Sequence, residues 1–274
     1  MHIKKTYTAI EMAIWTRYET FLFIGIGIFW VSLYYFLDLN WLKIPWTPLA
    51  LIGTAVAFVI GFQNNASYGR IWEARKIWGG IVNTSRTFGA FVQDMVNNEH
   101  AEKPVDESAL QSEIKILTNR HIAWMTALRF AMREPRRWET TVNHRTNQEW
   151  GYRPPEKDTL LESELKSIIS ESDFDYVMSK NNKPTALLYL QSHHLKELKE
   201  KGLVWEFSFL ELEAIVQELF TLQGKSERIK NFPYPRQFAT LNYIFIWIFI
   251  LLIPYGIMQE FESFGAKIYS YLLF

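Results

Sequence analysis

From Thr20 to Leu37 the chain reads TFLFIGIGIFWVSLYYFL, eighteen residues without a charge. About 20 residues rising ~1.5 Å each cross a hydrocarbon core, so this run predicts a first transmembrane helix. A second uncharged run extends from Ile44 to Gly69, with Pro45 and Pro48 near its start, and a third from Gln237 to Gln259. A secretory signal does not account for the first run. It starts at residue 20, lacks a small-residue cleavage pattern and is followed at once by another apolar run. Trp30, Tyr34, Tyr35, Trp41 and Trp46 sit where interface aromatics belong. The boundaries read as 1–19, an N-terminal segment; 20–62, two spans; 63–236, a polar domain; 237–258, a third span. At 265–274 a further apolar stretch opens, too short to span, and is expected to be an incomplete fourth membrane helix.

Residues 63–236 have helical periodicity. Ile71, Trp72, Ile77 (or Trp78), Ile81, Phe88 and Phe91 mark an amphipathic helix over 70–98. Leu110, Ile114, Leu117, Ile122, Trp124, Met125 and Leu128 mark another over 107–133. Arg136 to Pro155 reads as a loop, and short helices fit 159–170 and 173–179, the latter capped by Asp173. Lys183–Pro184 opens a helix that stops near Lys201–Gly202, and 205–224 forms one ended by Gly224. No alternating strand pattern is present, so the fold class is all-α.

Composition changes the picture once it is resolved along the chain. The 274 residues carry 29 basic and 29 acidic side chains, and no cysteine. Charge balance argues against a nucleic-acid partner. Missing thiols exclude disulfides, thiolate zinc sites and cysteine nucleophiles. Mean hydropathy is −0.08, like a soluble protein, yet 24 of the 29 bases and 24 of the 29 acids fall within 63–236. That segment cannot cross a bilayer. Lys4, Lys5 and Arg17 precede the first span, Arg70, Arg75, Lys76 and Arg86 follow the second, and Arg228, Lys230 and Arg236 precede the third. Positive-inside therefore places the N-terminus and 63–236 in the cytoplasm, a multi-pass arrangement.

No enzyme signature occurs: neither a Walker loop, GxSxG, GxGxxG nor HExxH. His193 and His194 are adjacent and diverge on a helix, so they read as solvent-facing or capping groups rather than ligands. No catalytic residue, metal site or cofactor is expected. The informative feature lies in the second span, where Thr54, Phe58 and Phe62 follow at i, i+4 and i+8 on one stripe. Asn64, Asn65, Ser67 and Arg70 come directly after. Gly53 and Gly61 would let backbones approach closely. Such a stripe either packs against neighbouring helices or, repeated around a symmetry axis, forms a hydrophobic constriction.

The run GFQNNASYGRIWEARKIWGGIVNTSR, Gly61–Arg86, resembles the signature of prokaryotic bestrophin homologues. ERIKNFPYPRQFATLNYIFIWIFILLIPYG, Glu227–Gly256, is similar to that family's approach to its third membrane helix. Gln63 departs from the arginine usual at its position. The resemblance implies a homopentamer around one central pore in a lipid bilayer, passing small monovalent ions. It implies a neck at Thr54, Phe58 and Phe62, with Thr54 where isoleucine is usual, and a pore mouth at Asn64 and Asn65. It also implies a cytosolic aperture at Leu187 or Leu188. The animal relatives' acidic calcium cluster has no counterpart here. Asp38, Glu260 and Glu262 outnumber Lys43 and Lys267 on the outer side, which favours cations over chloride. A membrane-anchored scaffold without conductance is the rival expectation.

Overall fold

The computed structural model describes residues 6–37, 41, 44–139, 145–149 and 154–263. The expected fourth membrane stretch, 265–274, lies outside them, as do Asp38 and Lys43. Among the described residues the elements are helical; an isolated antiparallel bridge pairs Val96 with Val204. The chain divides into two compact units, one of 1–68 with 234–274 and the other of 69–233. The division falls a few residues inside the expected limits of the polar domain.

The first unit holds α1 (Ala9–Trp15), α2 (Arg17–Leu37), the first part of α3 (Trp46–Met95) and α10 (Arg236–Ser263). A capping box starts α1: Glu11 N donates to Thr8 Oγ1 at 3.2 Å, and Thr8 N donates to Glu11 Oε2 at 2.7 Å. Val31 and Tyr34 of α2 bury against Tyr255 and Met258 of α10. Trp30 tilts against Tyr255 with ring centroids 5.2 Å apart. The helices α3 and α10 approach closely. A Cβ at Gly53 would meet the Phe249 ring at 2.9 Å, and one at Gly256 would overlap Leu49. Gly61 has nothing within 4 Å of such an atom, so it mediates no close approach within this chain.

The second unit contains the rest of α3 with α4 (Glu107–Arg133), α5 (Arg145–Glu149), α6 (Leu161–Lys166), α7 (Glu171–Met178), α8 (Lys183–Glu200) and α9 (Glu206–Asn231). The amphipathic helix expected over 70–98 is therefore the continuation of the second span. Ile77, Ile81 and Phe88 are buried on it, whereas Ile71, Trp72 and Trp78 are exposed. Asp106 caps α4, its carboxylate accepting from Ala109 N at 3.1 Å. Along α4 the buried Leu110, Ile114, Leu117, His121, Trp124 and Leu128 alternate steps of four and three, with the small Ala123 and Ala127 buried beside them. That seam includes His121 and leaves Ile122 outside. Asn182 caps α8 through Thr185 N at 3.1 Å, with Pro184 in the first turn. Gly202, at φ 71°, turns the chain out of α8; a side chain there would also strike the His100 carbonyl.

Several expectations need correction. Ser170 caps α7, because Asp173 is recruited elsewhere: it accepts from Arg120 Nε at 2.7 Å and Arg120 Nη2 at 2.9 Å. Gly224 lies inside α9, which continues to Asn231. The helix expected over 159–170 is confined to Leu161–Lys166, and α5 interrupts the expected loop. His194 is buried rather than solvent-facing, with Nε2 2.8 Å from Glu113 Oε2. Burial lowers its pKa, opposed by the hydrogen bond to Glu113. His193 is exposed beside Glu197.

His121 has the most perturbed environment. It stacks on Phe88 at 4.9 Å and against Trp124 at 5.3 Å, and neither ring nitrogen has a hydrogen-bond partner. Burial pushes its pKa down from 6.5 to about 4. The unfolded chain therefore takes up this proton first. The stability that neutral His121 confers is complete above pH 6.5, falls as the pH drops towards 4, and is flat below. At ~1.36 kcal/mol per pKa unit the loss is about 3 kcal/mol. Denaturation of the full chain in detergent at pH 7 and pH 4 measures it. His121→Leu should flatten the slope by about that amount, and an unchanged slope would remove His121 as its source.

Arg120 and Asp173 supply a second expectation, since their side chains are only 15% and 9% exposed. Arg120→Ala leaves a buried carboxylate alone and should cost about 3–5 kcal/mol. The Arg120→Met, Asp173→Leu double variant should recover most of that in the same denaturation measurement.

Candidate functional site

At 100° per residue, the buried face of α3 in the first unit is set by Leu49, Gly53 and Val56, which cluster within about 60° of one another. Leu49 and Val56 are buried, and Gly53 receives Phe249. Thr54, Phe58 and Phe62 centre about 180° away from that cluster. Helical geometry puts the stripe opposite the face on which α3 meets α10. The side chains accord with this: Phe58 is 65% and Phe62 69% exposed, and Thr54 is exposed too. Among the described residues neither phenylalanine belongs to a buried cluster.

The Thr54 hydroxyl donates to the Ala50 carbonyl at 2.9 Å, a local back-bond. Its proton is thereby committed to the helix, and the side chain presents a methyl group and an acceptor oxygen outward. Thr54 is thus less polar than a free hydroxyl at that height would be.

Below the stripe the helix turns polar. Asn64, Asn65 and Ser67 are exposed, with Ser67 Oγ donating to the Gln63 carbonyl at 2.9 Å. Asn65 continues the line of Phe58 within about 20°, whereas Asn64 is about 120° off it. Gln63 falls on the packed side, where its Oε1 lies 3.5 Å from Nδ2 of the buried Asn242 on α10. An uncharged amide suits that place better than a guanidinium, because its partner is another amide in an apolar stretch.

The expected aperture residues lie elsewhere. Leu187 and Leu188 are both 0% exposed, sealed among the buried side chains of the second unit. A side chain without accessible surface cannot line an opening, so both are core residues and the expectation is corrected. Lys183, Thr185 and Tyr189 are the residues of those turns that reach the surface. Residue spacing could not have shown this, because adjacent leucines mark a core position and a rim position equally well. Among the described residues no three His, Asp or Glu side chains gather as metal ligands would.

Among the described residues two helices, the α3 stretch and the one running to Met258, are long and apolar enough to cross a membrane. The identity of the chain follows from its relatives. A family model described as "Bacterial/Fungal Bestrophin protein" matches residues 5–274. A voltage-dependent anion channel-forming protein of Ralstonia nicotianae is 26% identical over 218 residues, 80% of this chain and 60% of that protein. One of Escherichia coli is 21% identical over 219 residues, with the same coverage. The chain thus spans about 60% of the length of these curated relatives. Crystal structures of a bacterial bestrophin homologue from Klebsiella pneumoniae share the fold. One superposes with TM-score 0.72 at 18% identity, covering 95% of this chain and 83% of that one. Another gives 0.70 at 19%, covering 92% and 82%. With its motifs, its helical architecture and a family match of nearly full length, the chain belongs to the bacterial and fungal bestrophin family.

Proposed function

We propose that the protein is the subunit of a homopentameric, multi-pass ion channel of a bacterial inner membrane, and not an enzyme. The observation that carries this reading is the opposition of faces on α3. One face packs against α10, and the other carries Phe58 and Phe62 exposed immediately above exposed amides. Copies arranged around an axis turn the second face into rings of Thr54, Phe58 and Phe62 with Asn65 at the mouth and Asn64 beside it. Such rings hold no ion-binding group, so they block when narrow and dry and conduct when widened and wet. A single chain with three spans encloses no channel, and a closed ring of subunits does. The N-terminus and residues 63–236 take the cytoplasmic side by the positive-inside rule.

Selectivity has two readings. The acidic excess of the outer residues Asp38, Glu260 and Glu262 over Lys43 and Lys267 favours cations. The relatives from Ralstonia nicotianae and Escherichia coli are named as anion channels, which favours chloride. The reversal potential of reconstituted protein under a NaCl gradient separates them, since its sign follows the more permeant ion.

The neck assignment predicts that Phe58→Ala or Phe62→Ala removes one dry ring. Lowering the wetting barrier by about 1.4 kcal/mol raises the open probability about tenfold in single-channel recordings. Unchanged opening in both variants sinks the assignment. A purified protein that is not fivefold symmetric and carries no current would instead support a membrane-anchored scaffold.

A further inference from the structure

The capping box makes α1 a defined helix, yet α1 adds nothing to a core. Among its seven residues Glu11 is the one charge, and none is buried. Ile10, Met12, Ile14 and Trp15 are exposed, and Tyr7 before them is exposed too. Ile10 and Ile14, four residues apart, share one edge of the helix. Its single acid is occupied in the cap, where Glu11 Oε2 accepts from Thr8 N. Apolar area left wet forgoes about 25 cal/mol per Å², so a surface of this composition calls for a cover.

Connectivity identifies that cover. One residue, Thr16, separates α1 from α2, which carries the uncharged run Thr20–Leu37. The junction has the residues of a headgroup layer. Trp15 comes first, and then Arg17, whose Nη2 donates to Tyr18 Oη at 3.1 Å while its guanidinium stands 4.7 Å from the centre of the Tyr18 ring. Beyond it Phe21, Leu22, Ile28 and Phe29 are exposed along α2. Continued straight along α2, Ile10 would stand ~15 Å beyond Thr20, at ~1.5 Å per residue, outside a headgroup layer of about 5–7 Å. The helix is instead interrupted at Thr16, with φ −97° and ψ 7°. The N–H and the hydroxyl of Thr16 both donate to the Met12 carbonyl at 2.9 Å, a back-bond of the kind that bends helices. A bend here turns α1 from the line of the span into the plane of the surface.

Resting on the multi-pass reading above, we infer that α1 is an interfacial anchor, lying in the headgroup boundary of the cytoplasmic leaflet with its Ile10–Ile14 edge among the acyl chains. Exposure of both Ile10 and Met12, about 160° apart around the helix, fits immersion in lipid better than a protein partner pressed on one face.

The chain has no cysteine, so a single introduced cysteine carries a spin label alone. Ile10→Cys and Ile14→Cys are labelled in the full chain, reconstituted into vesicles of phosphatidylethanolamine and phosphatidylglycerol. Power saturation with oxygen and with a water-soluble nickel chelate reads the surroundings of each label, and no current is needed. Phe29→Cys on α2 is the lipid reference and Lys103→Cys, exposed before α4, the aqueous one. Both α1 labels are expected to give an oxygen-to-nickel accessibility ratio at least about threefold above that of Lys103→Cys and below that of Phe29→Cys. Thermal midpoints establish that the variants are folded, and Ala13→Cys replaces either that is not. Labels on α1 that match the aqueous reference overturn the inference while leaving the span intact. Labels shielded from both reagents overturn it in favour of a second copy of the chain. A Phe29→Cys label that also reads as aqueous removes the membrane reading and the anchor with it.

Discussion

An α-helix presents each direction to one neighbour only, and α3 has to satisfy two. Leu49, Gly53 and Val56 take one side, and the direction in which they point is spent on α10. Thr54, Phe58 and Phe62 fall on the other side by arithmetic, since their steps of four cannot rotate into the first face. The amides divide by the same rule: Gln63 joins Asn242 on the packed side, and Asn65 continues the open one. A glycine at position 53 is what lets the packed side close against Phe249. With that side closed, Phe58 and Phe62 stay largely exposed among the described residues.

Features written in local chemistry were legible in the sequence. Segregation of charge announces the spans, and Asp106 and the Asn182–Pro184 pair announce the starts of α4 and α8. Features that depend on a distant partner were not. Asp173 looks like a helix cap, but Arg120, on another helix, claims it with two bonds, and Ser170 takes the cap. Gly224 looks like a stop, yet a helix-ending glycine needs the left-handed conformation found at Gly202. Gln223 and Glu227 instead bond across Gly224 along the continuing helix.

The candidate site divides in the same manner. The stripe of Thr54, Phe58 and Phe62 was visible because its three members share one helix and one direction. The aperture was not, because Leu187 and Leu188 point in directions that only the packing of α8 against its neighbours decides. Both proved to point into the core. His121 is hidden in the sequence for a related reason: a histidine breaks the apolar pattern, although the spacing of Leu117 and Trp124 requires position 121 in the seam.

Polar groups in these seams do different work according to whether they find a partner. His121 finds only aromatic faces, so burial disfavours its charged form. Gln223 sits on α9 in step with Leu212, Val216 and Leu219 and receives the indole N–H of Trp124 from α4. Sliding α9 by one turn, ~5.4 Å, would keep leucine against leucine and lose little apolar contact. It would also part the Trp124 indole N–H from the Gln223 carbonyl in a dry interior, at about 1–3 kcal/mol for each unmade bond, while the Gln223–Glu227 bond travels with the helix. The apolar residues make the helices associate, and the Trp124–Gln223 bond selects the register in which they do so. That register brings Asn182 and Glu227 together at the first turn of α8.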